Sequence, residues 1–389
     1  MHRLSLPSFA MKRSLVVAVG VAVAVAAAVL VWADVRQERE FRRLLAVGDE
    51  AVATDQTFNA IEAFSGALAL KPRSMLAYLK RGDTYRRRGD FNAALRDLRQ
   101  AETLDPTAPR PIELLGDVYA ATGQHTAAAA YYQRYLSIDD RAAPVLYKLA
   151  LAYYRAGMAA RAIEPLQRAV SLDDRFAEAH LLLGMCLKDR GDRSSALRSM
   201  TRALAISPTL ASARQELATM YDELGRHQEA LDQLSALATL EPGRPERMVS
   251  LGLAYARLGR REEAVLTLGR AVERHPDTPL VYTALGRVWL QSADREDDPT
   301  ALGKALRALK TAAEPSSATS EALTLYGRAL FLSGNIAQAE RALQRAVTKM
   351  PVDPNAFRYL SETAKRLGHL TTARDADRRY AALTAPPAL

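Results

Sequence analysis

The chain has 389 residues, of which 49% are apolar and 25% charged, a balance that excludes general disorder. Aromatic residues make up only 6%, whereas Ala and Leu are abundant, and this mixture favours packed helices over sheets. The net charge of +9 raises the question of an anionic partner, but a genome rich in arginine codons gives the same excess, so charge alone does not identify the partner.

The first feature along the chain is an apolar run. After a basic segment at residues 1–13, residues 15–33 are 19 consecutive uncharged, mostly apolar residues. A helix of that length at about 1.5 Å per residue is about 28 Å long, close to the ~30 Å hydrocarbon core of a bilayer. Trp32 lies at its far end, where an indole suits a membrane interface. The sequence therefore predicts an N-terminal transmembrane or signal-anchor helix over residues 14–33.

The sequence gives less information on which end of this segment faces the cytoplasm than on the presence of the segment itself. Basic residues flank both of its ends, so the count of positive charges is nearly tied. Because Lys12 and Arg13 directly precede the apolar run, we expect a single-pass protein of the bacterial inner membrane with a cytoplasmic N-terminus and with the residues after the run in the periplasm. Two alternatives stay open: export with signal-peptide cleavage after Ala33, and a cytoplasm-facing chain. Because residues 34–47 contain neither Pro nor Gly, the apolar helix is expected to continue without a break into the next one.

A period of 34 residues organises the rest of the chain. Four columns of residues recur at this spacing: a small residue, an aromatic three positions later, an alanine and a bulky apolar residue. The small and aromatic columns read Gly82/Tyr85, Gly116/Tyr119, Ala150/Tyr153, Gly184/Leu187, Ala218/Tyr221 and Gly252/Tyr255. The alanine column reads Ala94, Ala128, Ala162, Ala196, Ala230 and Ala264. The bulky column reads Leu98, Tyr132, Leu166, Met200, Leu234 and Leu268.

Ten repeating units follow from this alignment. They start at residues 41, 75, 109, 143, 177, 211, 245, 279, 320 and 354. The eighth unit has 41 residues, and its extra seven fall near residues 293–300, between its two predicted helices. A glycine in the middle of most units suits the left-handed turn that ends a helix. The small columns let two helices approach, and the bulky column is expected to fill the space between one unit and its neighbour.

This pattern resembles the tetratricopeptide repeat (TPR) family. The resemblance covers about residues 41–387, nearly the whole chain after the apolar run, and we assign residues 34–387 to the repeat domain. It implies an all-α fold, a right-handed α-solenoid of about ten helical hairpins, with the first helices lining a concave groove. No unit can bury its apolar face alone, so neighbouring hairpins must stack.

No motif of enzyme chemistry occurs in the sequence. It has no G-x-S-x-G elbow, no phosphate-binding G-x-x-x-x-G-K-[ST] loop and no H-E-x-x-H zinc motif. The single cysteine, Cys186, excludes a disulfide framework and is expected to be a small buried side chain. The six histidines never lie three to five residues apart, so a local metal site is not expected. We therefore predict no catalytic activity, no cofactor and no metal.

The implied groove is chemically mixed. The resemblance places unit positions 2, 5, 9, 12 and 13 on the concave face, where acidic and basic side chains are almost equally frequent. A nucleic-acid groove needs a one-sided basic surface, so this lining favours a protein or peptide partner. The best candidate patch combines tyrosines with basic residues of units two to five, which are residue types common at binding hot spots. Its members are Arg86, Arg87, Arg110, Tyr147, Tyr154, Arg155 and Lys188.

The sequence thus predicts a non-catalytic, membrane-anchored TPR scaffold that binds protein partners through its concave groove, in bacterial envelope assembly or secretion. Two alternatives belong to other classes of protein. The first is an RNA-binding helical repeat, suggested by the sequence pI of 9.6. The second is an accessory subunit of an envelope enzyme complex.

Overall fold

The computed structural model describes residues 9–296 and 299–385. Three stretches lie outside the described residues: 1–8, 297–298 and 386–389. The first belongs to the predicted basic segment and the second to the predicted insertion. The described part contains 20 α-helices and no strand, so the prediction of an all-α fold is confirmed. The chain divides into two compact units, Met1–Ala196 and Leu197–Leu389, and α10 (Arg193–Ile206) crosses the division.

In the first compact unit the helices form consecutive antiparallel pairs. Their bounds are α1 (Phe9–Ala53), α2 (Thr57–Leu70), α3 (Met75–Arg88), α4 (Phe91–Leu104), α5 (Pro109–Ala121), α6 (His125–Leu136), α7 (Ala143–Arg155), α8 (Ala159–Leu172) and α9 (Ala177–Asp189).

The second compact unit continues the same alternation. Its helices are α11 (Ala211–Glu223), α12 (His227–Leu240), α13 (Pro245–Arg257), α14 (Arg261–Arg274), α15 (Pro279–Glu296), α16 (Pro299–Ala313), α17 (Ser320–Leu332), α18 (Ile336–Ala346), α19 (Pro354–Leu367) and α20 (Leu370–Thr384).

Glycines end the first helix of most pairs, as the sequence predicts. Gly89, which follows α3, has a φ of 86°, and its amide donates to the carbonyl of Arg86 at 3.1 Å. This is the left-handed region, which glycine enters without the steric cost of a Cβ atom. The chain therefore reverses within two or three residues and returns antiparallel along the helix that it has just completed.

The bulky column packs between neighbouring units, as expected, since Leu268 lies in one buried cluster with Val281 of the next hairpin. Where the small residue is a glycine, the bulky side chain can also lie directly against that glycine of its own hairpin. A Cβ atom built on Gly116 would lie 2.6 Å from Cε1 of Tyr132, and one on Gly252 would lie 2.6 Å from Cγ of Leu268. Such distances are below any van der Waals contact, so these hairpins close only around a glycine.

The predicted insertion is accommodated without loss of this contact. In the eighth pair the glycine is Gly286 and its bulky partner is Leu309, 23 residues later instead of the usual 16. A Cβ atom on Gly286 would overlap Cγ of Leu309. The extra residues lengthen α15 to 18 residues and move the start of α16 to Pro299. The insertion therefore lies at the turn end of the hairpin, between its two helices, as predicted.

The first helix, α1, is one continuous helix of 45 residues, so the predicted absence of a break after the apolar run is confirmed. The boundary placed at residues 33 and 34 falls inside it. Its C-terminal part packs on α2, where Phe41 and Leu45 are buried in one cluster with Phe64. Earlier side chains such as Val21 and Leu30 are exposed. Among the residues whose side chains are described, which do not include 1–18 and 20, no helix is long and apolar enough to cross a membrane.

Two glycines of one hairpin offer a test of the packing. Gly252→Ala inserts a methyl group into the contact with Leu268, and we expect it to lower the free energy of unfolding by about 1–3 kcal/mol. Gly269 lies in the partner helix α14, and a Cβ atom added to it would have nothing within 4 Å. Gly269→Ala is therefore expected to raise stability by about 0.5–1 kcal/mol, since alanine is the better helix former. Urea denaturation of both variants measures the difference; shifts of the same sign would contradict the close approach.

Candidate functional site

The candidate site is built from the first helices of successive hairpins in the first compact unit, α3, α5, α7 and α9. On α3, Arg86 donates to Oδ1 of Asp83 from Nε at 2.8 Å and from Nη2 at 2.6 Å. The guanidinium of Arg87 lies 3.2 Å from the other oxygen of the same carboxylate. Two of the predicted basic groove residues are therefore paired within their own helix.

A second set of charges joins α5 to α7. Arg110 donates to Oε2 of Glu113 at 2.5 Å. Lys148 of α7 donates to Oε1 of Glu113 at 2.7 Å and to Oδ2 of Asp117 at 3.0 Å. The hydroxyl of Tyr132 donates to the remaining oxygen of Asp117 at 2.8 Å. We call these five residues the ion network.

The environment of the ion network shifts the pKa values of Glu113 and Tyr132. Burial by itself would raise the pKa of Glu113, but the hydrogen bonds from Lys148 and Arg110 outweigh it and hold this pKa below its usual value. Burial and the nearby charge of Asp117 raise the pKa of Tyr132 far above that of a free phenol. At neutral pH Glu113 is therefore ionised and Tyr132 is neutral. The network combines two acidic with two basic side chains, so their formal charges balance.

The next two helices present a different surface. Tyr147, Leu151 and Tyr154 lie four and three residues apart on α7 and share one face of that helix. Leu181 and Met185 lie four residues apart on the neighbouring α9. All except the buried Leu181 are half-buried. We call these five residues the apolar strip; within it, apolar and aromatic atoms reach solvent between the charges of neighbouring positions.

The ring of Tyr147 is held from one side. It packs on the ring of Phe176, the residue before α9, with centroids 5.0 Å apart and planes tilted by 47°. Burial raises the pKa of the Tyr147 hydroxyl, and the charge of Glu178 adds to the rise, whereas Arg155 opposes it. Arg155 and Glu178 therefore act electrostatically on Tyr147 and lie at the margin of the strip.

The structure divides the seven predicted site residues into two groups. Arg86, Arg87 and Arg110 are engaged by carboxylates of α3 and α5. Tyr147, Tyr154, Arg155 and Lys188 lie on α7 and α9 at or beside the apolar strip. Arg155 is exposed and makes no hydrogen bond or ion pair with the described residues, whereas Tyr154 and Lys188 each have an interaction partner.

Sequence reasoning missed several residues of this surface. Lys148, which links two carboxylates, stands at unit position 6, outside the positions that the family resemblance places on the groove. Leu151, Leu181 and Met185 stand at groove positions, but a selection by charge and by tyrosine passes over them. Counting apolar residues at those positions would have found the strip.

The described residues contain little that points to chemistry. No group of three or more His, Cys, Asp or Glu side chains in this part of the chain is arranged to hold a metal ion. Cys186 is fully buried, as predicted, and burial raises the pKa of its thiol to about 12. A thiol in this state carries almost no thiolate at neutral pH and is a poor nucleophile.

Comparison with protein families identifies the repeats. A tetratricopeptide-repeat model matches residues 45–109, 79–144, 147–211, 302–354 and 324–387. A second tetratricopeptide-repeat model matches residues 223–288. No curated protein matches the chain.

Several solved structures are similar in fold. A structure of MamA is 31% identical, covers 42% of this chain and 95% of its own, and has a TM-score of 0.39. YrrB, described as a TPR protein with an unusual peptide-binding site, is 23% identical over 47% of this chain and 94% of its own, with a TM-score of 0.42. Yeast Tom70 is 16% identical over 88% of this chain and 85% of its own, with a TM-score of 0.50. The Tom70 likeness supports the fold alone.

The ion network gives a testable pH dependence. Lys148→Met leaves Glu113 and Asp117, whose side chains are only 13% and 18% exposed, without their shared cation. We expect a loss of about 1–3 kcal/mol in the free energy of unfolding at pH 7. Because the folded-state pKa of Glu113 is lowered, its ionic contribution is fully present above the unfolded value of about 4.3 and disappears as the pH falls through the folded value. The penalty should therefore shrink in acid.

The matched control is Lys310→Met. Lys310 and Glu314 are 3.9 Å apart and both 65% exposed, so removing this cation should change stability by less than about 0.5 kcal/mol at any pH. Urea denaturation of both variants between pH 3.5 and 7 (a range chosen around the usual carboxyl pKa, ~4) makes the comparison. Equal effects of the two substitutions at pH 7 would contradict a linking role for Lys148.

Proposed function

Because the chain belongs to the tetratricopeptide-repeat family, whose model matches more than half of it, we propose that it is a non-catalytic scaffold that binds a polypeptide partner on the inner face of its first compact unit. The site of contact is the apolar strip. A partner segment docks an apolar side chain between Tyr147, Leu151 and Met185, and Arg155 at the margin engages a carboxylate of that segment.

The observation that carries this proposal is the contrast between two neighbouring surfaces. On α3 and α5 the cations are paired with carboxylates, so little charge is left to attract a ligand. On α7 and α9 half-buried tyrosine, leucine and methionine side chains lie next to an arginine that has no partner among the described residues. Tyrosine and arginine beside partly desolvated apolar surface are typical of the few residues that dominate binding energy in protein interfaces.

The alternative of RNA binding has less support. RNA affinity depends on many unpaired cations on one face, since each neutralised phosphate releases counterions. Arg86, Arg87 and Arg110, the basic residues of the predicted groove on α3 and α5, are held by carboxylates. Tight RNA binding that weakens steeply with salt in a filter-binding assay would overturn our preference.

We further propose that residues 15–33 anchor the protein in the bacterial inner membrane with the repeats in the periplasm, where the scaffold serves envelope assembly or secretion. Support comes from the 19-residue uncharged run in the sequence and from the basic residues Lys12 and Arg13 that precede it. The valines between Val21 and Val31 are also exposed on α1.

Partner binding can be tested on the strip itself. A photoreactive phenylalanine analogue at position 154, introduced into the chain in its native membranes, should crosslink to a polypeptide. Leu151→Ala combined with Met185→Ala should reduce the crosslinked product about tenfold or more, as expected for the loss of about 1.4 kcal/mol of binding free energy. The readout is the yield of crosslinked product on denaturing gels.

Phe58→Ala is the matched control, because Phe58 is 75% exposed on α2 and far from the strip in the chain. It should leave the crosslinking yield unchanged, and thermal unfolding should show that all variants are folded. A partner retained in full by the strip variant would contradict the proposed site, as would equal loss in the Phe58 variant.

Anchoring and orientation have a separate test. The full chain should stay in the membrane pellet after alkaline carbonate extraction and should retain an N-terminal tag. An alkaline phosphatase reporter fused after Leu389 should be active, since this enzyme requires an oxidising compartment. Release by carbonate would contradict the anchor, loss of the tag would indicate cleavage after Ala33, and activity of a cytoplasm-only reporter would overturn the orientation.

A further inference from the structure

The exposed and the packed parts of α1 meet within a few residues. Trp32 is 61% exposed, and the guanidinium of Arg36 lies 5.3 Å from its ring centroid. At the next residue the packing begins, because Nε2 of Gln37 donates to the carbonyl of Leu70, the last residue of α2. Lys71 pairs with Glu38 of α1. The C-terminal end of α2 therefore lies beside residues 37 and 38 of α1.

This arrangement fixes how far the turn between α2 and α3 lies from the apolar run, measured along the axis of α1. Glu38 is five residues beyond Ala33, which is about 7–8 Å along a helix. The headgroup layer on each side of the hydrocarbon core is about 5–8 Å thick. If residues 15–33 fill the core, the turn that connects α2 to α3, which contains Lys71 and Arg73, lies at the level of the lipid headgroups.

Three arginines at this level have no carboxylate partner among the described residues: Arg36, Arg39 and Arg73. All three are exposed. The arginines one turn further along α1 are different, because Arg42 pairs with Glu38 and Arg43 with Glu40. Unpaired cations are thus concentrated where α1 leaves the apolar run, and they come from two separate stretches of the chain that only the fold brings together.

We propose that Arg36, Arg39 and Arg73 form a headgroup collar, a surface of the first hairpin that contacts anionic lipid headgroups. The proposal rests on the membrane anchoring proposed above. Each cation near an anionic surface adds to the attraction, and the effect falls off within a Debye length, about 8–10 Å in physiological salt. The collar thereby holds the first hairpin against the bilayer instead of leaving it on a tether.

Site-specific fluorescence can measure the contact. Because Cys186 is fully buried, its thiol is a poor nucleophile and a single introduced cysteine can be labelled selectively. Pro72→Cys places an environment-sensitive nitrobenzoxadiazole label inside the collar, and Glu50→Cys places it on α1 about 25 Å beyond Ala33. In vesicles that contain headgroup spin-labelled lipid, the label at position 72 should be quenched strongly and the label at position 50 weakly.

The charge of the collar is tested in a second arm. We compare quenching by spin-labelled phosphatidylglycerol and by spin-labelled phosphatidylcholine, and expect the anionic lipid to quench position 72 about threefold more strongly. Replacing Arg36, Arg39 and Arg73 by Gln should abolish this preference. The matched control replaces Arg141, Arg175 and Arg270, which are also exposed, by Gln and should preserve it.

The outcomes separate the two proposals. A chain that does not float with the vesicles contradicts the anchoring itself. A chain that floats but shows equal quenching at positions 72 and 50 contradicts the collar and leaves the anchor standing. Quenching at position 72 without preference for the anionic lipid, or a preference that survives the triple substitution, contradicts the electrostatic contact. Protection of position 72 by an added soluble protein instead of lipid would assign the surface to a protein partner and overturn the collar.

Discussion

The rest of the structure depends on the close approach of two helices over a glycine. In six hairpins a bulky side chain of the second helix occupies the space where the first helix would carry a Cβ atom. The pairs are Gly48 with Phe64, Gly82 with Leu98, Gly116 with Tyr132, Gly252 with Leu268, Gly286 with Leu309, and Gly327 with Leu343. Because packed interiors leave few voids, this contact sets a common spacing within these hairpins. The first helices of these hairpins then present equivalent positions at the same distance from their second helices.

The basic excess of the chain is explained by how its arginines are used. Arg226 and Arg260, which directly follow turn glycines, lie 4.6 Å and 4.8 Å from the ring centroids of Tyr221 and Tyr255, residues of the aromatic column. Such contacts contribute about 0.5–1 kcal/mol each at exposed sites. Many arginines therefore cover aromatic rings or neutralise carboxylates inside the fold. The pI of 9.6 therefore includes many arginines that are already engaged within the fold.

The elements that repeat could be predicted from the sequence, and the contacts that do not repeat could not. The period predicts the helices and the turn glycines, because the same steric contact recurs from unit to unit. The insertion in the eighth unit is visible as a departure from that period. The ion network joins side chains 31 and 35 residues apart, and the choice of Lys148 as the link depends on which face of α7 turns towards α5. The pairing of Arg86 with Asp83 and of Arg110 with Glu113 is different, because each pair is three residues apart on one helix and could have been predicted from helical spacing. The apolar strip could be predicted from the sequence, but only by scoring groove positions for hydrophobicity.

The unbroken course of α1 has a mechanical consequence. A helix turns by about 100° per residue, so its exposed first part and its packed last part keep a fixed angular phase. One residue added between Asp34 and Arg36 would rotate every side chain before the insertion by about 100° around the axis relative to Phe41, and would shift it by about 1.5 Å. The direction in which the packed part of the first hairpin faces, relative to the exposed apolar run, is therefore set by the number of residues in this one segment.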